Sequence, residues 1–232
     1  MTDYNVMPDY QTRRKIINDI CEKYSFVHHS FAGKSVCGRC IDVLHIGNTK
    51  NCVLYCAGFH GSEYLTVTAV LKFFEQCADA MENDSVVGRY KIRDFLREKG
   101  LTIVPCVNPD GVEIAIHGSD AALKYKALVE KASKENKVWQ ANARGVDINH
   151  NFNAGWNELK NRELSMNIKA PSATRFGGNA PESEPETKAL TNLCKRNNFD
   201  PVSNTQHRAH ETRSNLVCRR LLEKKQGGGG VG

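Results

Sequence analysis

Val53-Leu54-Tyr55-Cys56-Ala57-Gly58-Phe59-His60-Gly61-Ser62-Glu63 is the stretch on which the reading of this chain turns. Its first five residues form a short apolar run, as in a strand buried on both faces. A glycine-containing turn follows, and residues 65–80 then carry apolar side chains at helical spacing. A buried strand running through a tight turn into a helix is the building unit of an α/β sheet. His60 and Glu63 stand at the carboxyl end of that strand, where the sites of open α/β sheets collect. A histidine and a carboxylate three residues apart can both face one metal ion, with a third ligand arriving from elsewhere. The plain alternative is a loop histidine followed by a glutamate that the helix N-terminus favours.

Working outward, residues 40–46 alternate in a strand-like way, and residues 101–107 form a second short apolar run rich in β-branched side chains. Residues 11–24 place Ile16, Ile17, Ile20 and Cys21 on one helical face, and residues 90–99 and 120–135 also have helical periodicity. A loop is expected from there to about residue 180, followed by an amphipathic helix over 184–197 with Leu190 and Leu193 inward. The succession predicts an α/β fold: a mixed, mostly parallel sheet flanked by helices. Residues 200–206 should return to the sheet, yet Asp200-Pro201-Val202-Ser203-Asn204-Thr205-Gln206 is a poor central strand.

With 232 residues, 40% of them hydrophobic, the chain is long enough for one sizeable core. The division expected is a catalytic-type domain over residues 1–200 and an atypical, basic, glycine-ended tail over 201–232. The formal charge of +6 lies mostly in that tail, where Arg208, Arg213, Arg219, Arg220, Lys224 and Lys225 face only Glu211 and Glu223. The remainder is close to balanced, which gives no electrostatic case for a nucleic-acid partner. No apolar run reaches membrane-spanning length, and the polar start Met1-Thr2-Asp3-Tyr4-Asn5 has no secretory pattern, so the expectation is a cytoplasmic chain without membrane contact. The nine cysteines then read as reduced thiols, and Cys37-x-x-Cys40 lacks the second pair or nearby histidines of a zinc knuckle.

Three further segments give the His60 motif a context. Val104-Pro105-Cys106-Val107-Asn108-Pro109-Asp110-Gly111 is a strand ending in a turn; Gly145-Val146-Asp147-Ile148-Asn149-His150-Asn151-Phe152 is polar turn chemistry; Ser183-Glu184-Pro185-Glu186-Thr187 precedes a helix. In this order the set resembles the zinc metallocarboxypeptidase family over residues from about 8 to 200. Trp139-Gln140-Ala141-Asn142-Ala143-Arg144-Gly145-Val146-Asp147 looks most like the bacterial branch that cleaves γ-D-glutamyl-diaminopimelate bonds in cell-wall peptides.

The resemblance implies a Zn2+ cofactor held by His60 and Glu63, a peptide substrate, possible murein peptides among them, and hydrolysis by zinc-activated water. It also implies that Asn149 helps to hold a substrate carboxylate. The family has arginine next to that asparagine where this chain has His150, and an imidazole cannot make the bidentate guanidinium contact. At the oxyanion-stabilising arginine of the family this chain has Gln140; Arg144 is either a nearby substitute or a structural residue of its turn.

The family's third zinc ligand falls near Gln206, so His207, one residue out of register, is the candidate third ligand, with His210 further off. Its tyrosine and general-base glutamate come later still, but no tyrosine follows Tyr125, so the catalytic base is not assigned. Residues 204–226, back-translated freely and read one base later, permit Ile-Ala-His-Thr-Arg-Gln-Gly-Val-Ile-Trp-Tyr-Ala, similar to the family's third-ligand segment; a frameshifted tail is therefore expected, with the coding DNA as its test. Two other functions compete with the peptidase: a catalytically inactive, truncated remnant of the family, and an N-acyl amino acid deacylase sharing the His-x-x-Glu zinc logic.

Overall fold

The structure is a computed structural model that describes residues 2–133, 138–197 and 199–200. Helix α1 spans Tyr10–Lys23; the Asp9 carboxylate caps it by accepting the Thr12 N–H, and Ile16, Ile17 and Ile20 are its buried stripe. Strands β1 (His28–Lys34), β2 (Cys40–Ile46) and β3 (Cys52–Cys56) follow, then helix α2 (Tyr64–Glu82). A two-stranded hairpin of β4 (Val86–Val87) and β5 (Tyr90–Lys91) leads into α3 (Ile92–Glu98) and the fully buried β6 (Gly100–Val104). Helix α4 (Pro109–His117), a 3-10 stretch (Ser119–Tyr125) and α5 (Lys126–Ala132) come next. Helices α6 (Trp156–Ser165) and α7 (Pro185–Arg196) and strand β7 (Phe199–Asp200) complete the described chain.

The main sheet runs β1-β2-β6-β3-β7. Strand β2 is antiparallel to both neighbours, whereas β3 is parallel to both β6 and β7. The α/β class and the mixed, helix-flanked sheet are as expected, and its parallel part is the half that carries His60. Alternate residues of β2 explain the two apolar layers. Leu44 and Ile46 join Ile16, Ile20, Leu71 and Phe74 of α1 and α2 on one face; Ile41 and Val43 join Leu190 and Cys194 of α7 on the other. Each such side chain taken fully from water contributes roughly 1.5–3 kcal/mol.

Several local expectations need correction. The run 101–107 leaves the sheet at Val104, residues 90–91 are strand rather than helix, and the helix expected from 120 opens as a 3-10 stretch broken at Leu123, whose φ is +54°. Within the expected loop lies α6, and β1 was not anticipated at all. Both buried little apolar surface: Glu163 is the one buried residue of α6, and β1 is an edge strand with His28, Ser30, Phe31 and Lys34 exposed. Residues 201–206, His207, His210 and the basic tail lie outside the described residues.

Candidate metal centre

Past their last paired residues, β3 and β6 stay zipped together. The Ala57 N–H donates to Val104 O at 3.0 Å, Val107 N–H to Ala57 O at 2.9 Å, and Asn108 N–H to Gly58 O at 2.9 Å. Gly58 has φ +61°, and a Cβ there would lie 2.9 Å from the Val67 side chain, so only glycine turns the chain here under α2. Asn108 is fully buried and joins the turn to its surroundings. Its Oδ1 caps α4 through the Gly111 N–H at 2.8 Å, while Nδ2 donates to Phe59 O at 3.0 Å and Gln140 O at 3.3 Å. The asparagine of the Asn-Pro-Asp-Gly turn therefore fixes the residue immediately before His60.

His60 Nδ1 faces Glu63 Oε1 at 2.9 Å across the 3-10 turn Gly61–Glu63. Its Nε2 faces Asp147 Oδ1 at 3.2 Å, and the amide nitrogen of Asn149 lies 3.0 Å from the same Nε2. Burial alone would lower the His60 pKa, but the bonds to Asp147 and Glu63 raise it to about 10. Asp147, itself buried, is held far below the ordinary carboxylate range despite that burial, by His150, by His60 and by the Arg175 N–H that reaches Oδ2 at 3.0 Å. Asp147 also accepts the Asn149 N–H at 3.1 Å, capping the 3-10 turn Ile148–His150.

This geometry tests whether zinc fits. Imidazole nitrogen and carboxylate oxygen are zinc donors, and a histidine whose other nitrogen is backed by a carboxylate is the usual oriented form of such a ligand. Here Nδ1 is the nitrogen turned to Glu63 and Nε2 the one backed, so His60 and Glu63 suit two positions of a zinc shell. Among the described residues no set of three or more His, Cys, Asp or Glu side chains is placed to hold an ion. Within those residues the pair offers two donors. Sequence reasoning assigns Asp147 no role; its position after Gly145-Val146, ahead of a polar turn, is the signal the sequence carries for it.

The other sequence candidates divide. Asn149 is at the centre. His150 donates from Nδ1 to Arg175 O at 2.8 Å and lies 3.7 Å from Glu163 Oε1. Burial opposes its protonation, yet Asp147, Glu163 and the carbonyl raise its pKa. Arg144 pairs through Nε with Glu184 Oε2 at 2.9 Å, and its backbone N–H is fixed by Asn142 Oδ1 at 3.0 Å. Gln140 hydrogen-bonds through Oε1 to Thr174 Oγ1, beside Arg175. Cys37 and Cys40 are unbridged thiols, with the Cys37 N–H given to Asp110 Oδ2.

A profile of zinc carboxypeptidases matches residues 14–210. The chain belongs to the zinc carboxypeptidase family. It is 32% identical over 194 residues to gamma-D-glutamyl-L-diamino acid endopeptidase 1 of Lysinibacillus sphaericus, covering 82% of this chain and 48% of that protein. To carboxypeptidase B of Rattus norvegicus it is 29% identical over 176 residues, 74% of this chain and 37% of that one. The fold is that of carboxypeptidase A from Helicoverpa armigera, with a TM-score of 0.62 at 21% identity over 84% of this chain and 44% of that one. The chain spans about half the length of the endopeptidase it matches, or less of the others. No helix among the described residues is long and apolar enough to cross a membrane.

Proposed function

We propose that this chain carries the metal-binding half-site of a zinc peptidase that hydrolyses amide bonds in short peptides, with γ-D-glutamyl-diamino acid peptides of the cell-wall type as substrates. The supporting observation is the orientation of His60, with Nδ1 toward Glu63 and Nε2 backed by Asp147. His60 and Glu63 would hold the ion, which supplies Lewis acidity toward the scissile carbonyl and a water of lowered pKa. Asp147 would keep a proton on Nε2, so that Nδ1, now bonded to Glu63, is the nitrogen that would exchange its proton for the ion. Glu163, pinned by Lys160 at 2.6 Å and the Gly177 N–H at 2.8 Å, lies 3.7 Å from His150 Nδ1 and helps to hold that ring.

Two further points favour an internal γ-glutamyl bond over release of a C-terminal residue. The similar endopeptidase has that specificity in its name. His150, engaged by a carbonyl and Glu163, has no planar fork to clamp a terminal carboxylate. The remnant is the second reading, favoured by the half-site alone.

The test is zinc content and turnover together. About one zinc per chain, lost in His60→Ala, with hydrolysis of a γ-D-glutamyl-diaminopimelate peptide in preference to N-acyl amino acids, supports the peptidase. Absence of bound zinc, or zinc retained without turnover, supports the remnant, and preference for N-acyl amino acids the deacylase. Cytoplasmic residence is part of the proposal and is checked by fractionation.

A further inference from the structure

We propose that Arg175 is the specificity-determining cation of this centre, binding a free carboxylate of the substrate beside the His60–Glu63 pair. The inference rests on the peptidase reading and adds to it a residue and a chemical group. Its first support is the backbone. Arg175 has φ +69°, the left-handed region, which is unfavourable for a non-glycine residue and persists only where surroundings enforce it. The surroundings are the site itself. The Arg175 N–H is held by Asp147 Oδ2 at 3.0 Å, and its carbonyl accepts from His150 Nδ1 at 2.8 Å. Through the two oxygens of one carboxylate, Arg175 is thus two hydrogen bonds from His60.

The second support is the charge. The side chain of Arg175 is exposed, and among the described residues its guanidinium meets no carboxylate; its one polar contact is Met166 Sδ at 3.8 Å. Among the described residues, Arg144 is engaged by Glu184 at 2.9 Å and Lys160 by Glu163 at 2.6 Å. His150 faces the Arg175 carbonyl, so it cannot replace a guanidinium fork. An arginine whose backbone is held by the groups around His60, and whose guanidinium meets no carboxylate among the described residues, is available to an anion that arrives with the substrate. Chemistry identifies that anion. A glutamyl residue linked through its γ-carboxyl keeps its α-carboxylate free, on the acyl side of the scissile bond.

The experiment uses the full chain, zinc-loaded, with two dipeptides: γ-D-glutamyl-diaminopimelate and the same molecule with the glutamyl α-carboxylate amidated. Binding is measured by calorimetry, with KM and kcat followed alongside. The chain should bind the carboxylate form about 10-fold or more tighter, the range of a charge-assisted hydrogen bond. In Arg175→Gln and Arg175→Gly that preference should vanish through KM with kcat little changed, while zinc stoichiometry and affinity for the amide hold. Arg175→Gly accepts the positive φ without strain, which separates the side chain from the backbone. Equal binding of both peptides by the unaltered chain, or a preference that survives both substitutions, overturns the role of Arg175 and leaves the peptidase standing. Failure to bind either peptide overturns both.

Discussion

Asp147 concentrates more of the site than either ligand of the pair. Its Oδ1 meets the His60 imidazole and the Asn149 N–H, and its Oδ2 takes the Arg175 N–H, all in a buried position. An asparagine there keeps the shape and one acceptor but loses the charge that fixes the His60 proton on Nε2. Outer-shell partners of this kind are worth 10–100-fold in metal affinity. Asp147→Asn should therefore weaken zinc retention by about that factor in a competition against a chelator dye, with the far-ultraviolet circular dichroism unchanged. An unaltered affinity would mean that Asp147 serves only to cap its turn. His60→Ala removes a ligand outright, and its zinc content should fall to background.

At the scale of elements, the half-site depends on how closely the Gly61–Glu63 turn sits on the start of α4. A Cβ at Gly61 would lie 2.1 Å from Gly111 O and 2.9 Å from Trp139 O, backbone atoms that cannot step aside. Gly111 is equally confined, with a Cβ 2.3 Å from Asn108 Nδ2. Gly61→Ala should cost about 3 kcal/mol in urea unfolding, at the upper end of overpacking, and shift His60 away from Glu63 enough to lose zinc. Stability unchanged within about 0.5 kcal/mol would show the contact to be looser than it is drawn. These approaches also mark what a sequence can tell. Strand β2 and helices α1, α2 and α7 are legible because apolar side chains recur at the period of the element, and β3 and β6 because each is a continuous apolar run. Helix α6 and strand β1 were not, since their contacts are polar or on an edge. His60 and Glu63 stood out by spacing after a strand. Asp147 and Arg175 did not, because their roles depend on backbone hydrogen bonds to residues distant in sequence, which leave no periodic trace.

At the scale of the whole molecule, Glu186, in the first turn of α7, ties together parts far apart in the described chain. Its Oε1 accepts the Val36 N–H from the β1–β2 turn at 3.0 Å, and its Oε2 lies 3.3 Å from Asn142 Nδ2, which also serves Glu184. Full burial, with Asp110 adding repulsion, pushes its pKa up to about 7 from an ordinary 4.5. The folded chain therefore holds this proton over a range where the unfolded chain has released it. That contribution to stability is complete below pH 4.5 and is lost as the pH rises through 7, to the extent of roughly 3 kcal/mol. Asp147 and Glu163, whose pKa values are lowered, act in the opposite sense: their contribution is present above the ordinary carboxylate range and is lost toward acid. Stability is thus limited from both sides. Glu186→Gln keeps the neutral shape and an acceptor for Val36 while removing the titration, so the difference between the two proteins isolates this one group from the histidines that titrate nearby. The thermal midpoint of the unaltered chain should fall relative to Glu186→Gln between pH 5 and pH 8, the variant being the more stable at pH 8. Parallel midpoints across that range would show that the Glu186 carboxyl is ionised in the folded chain throughout and that its charge is satisfied by Val36 and Asn142 alone.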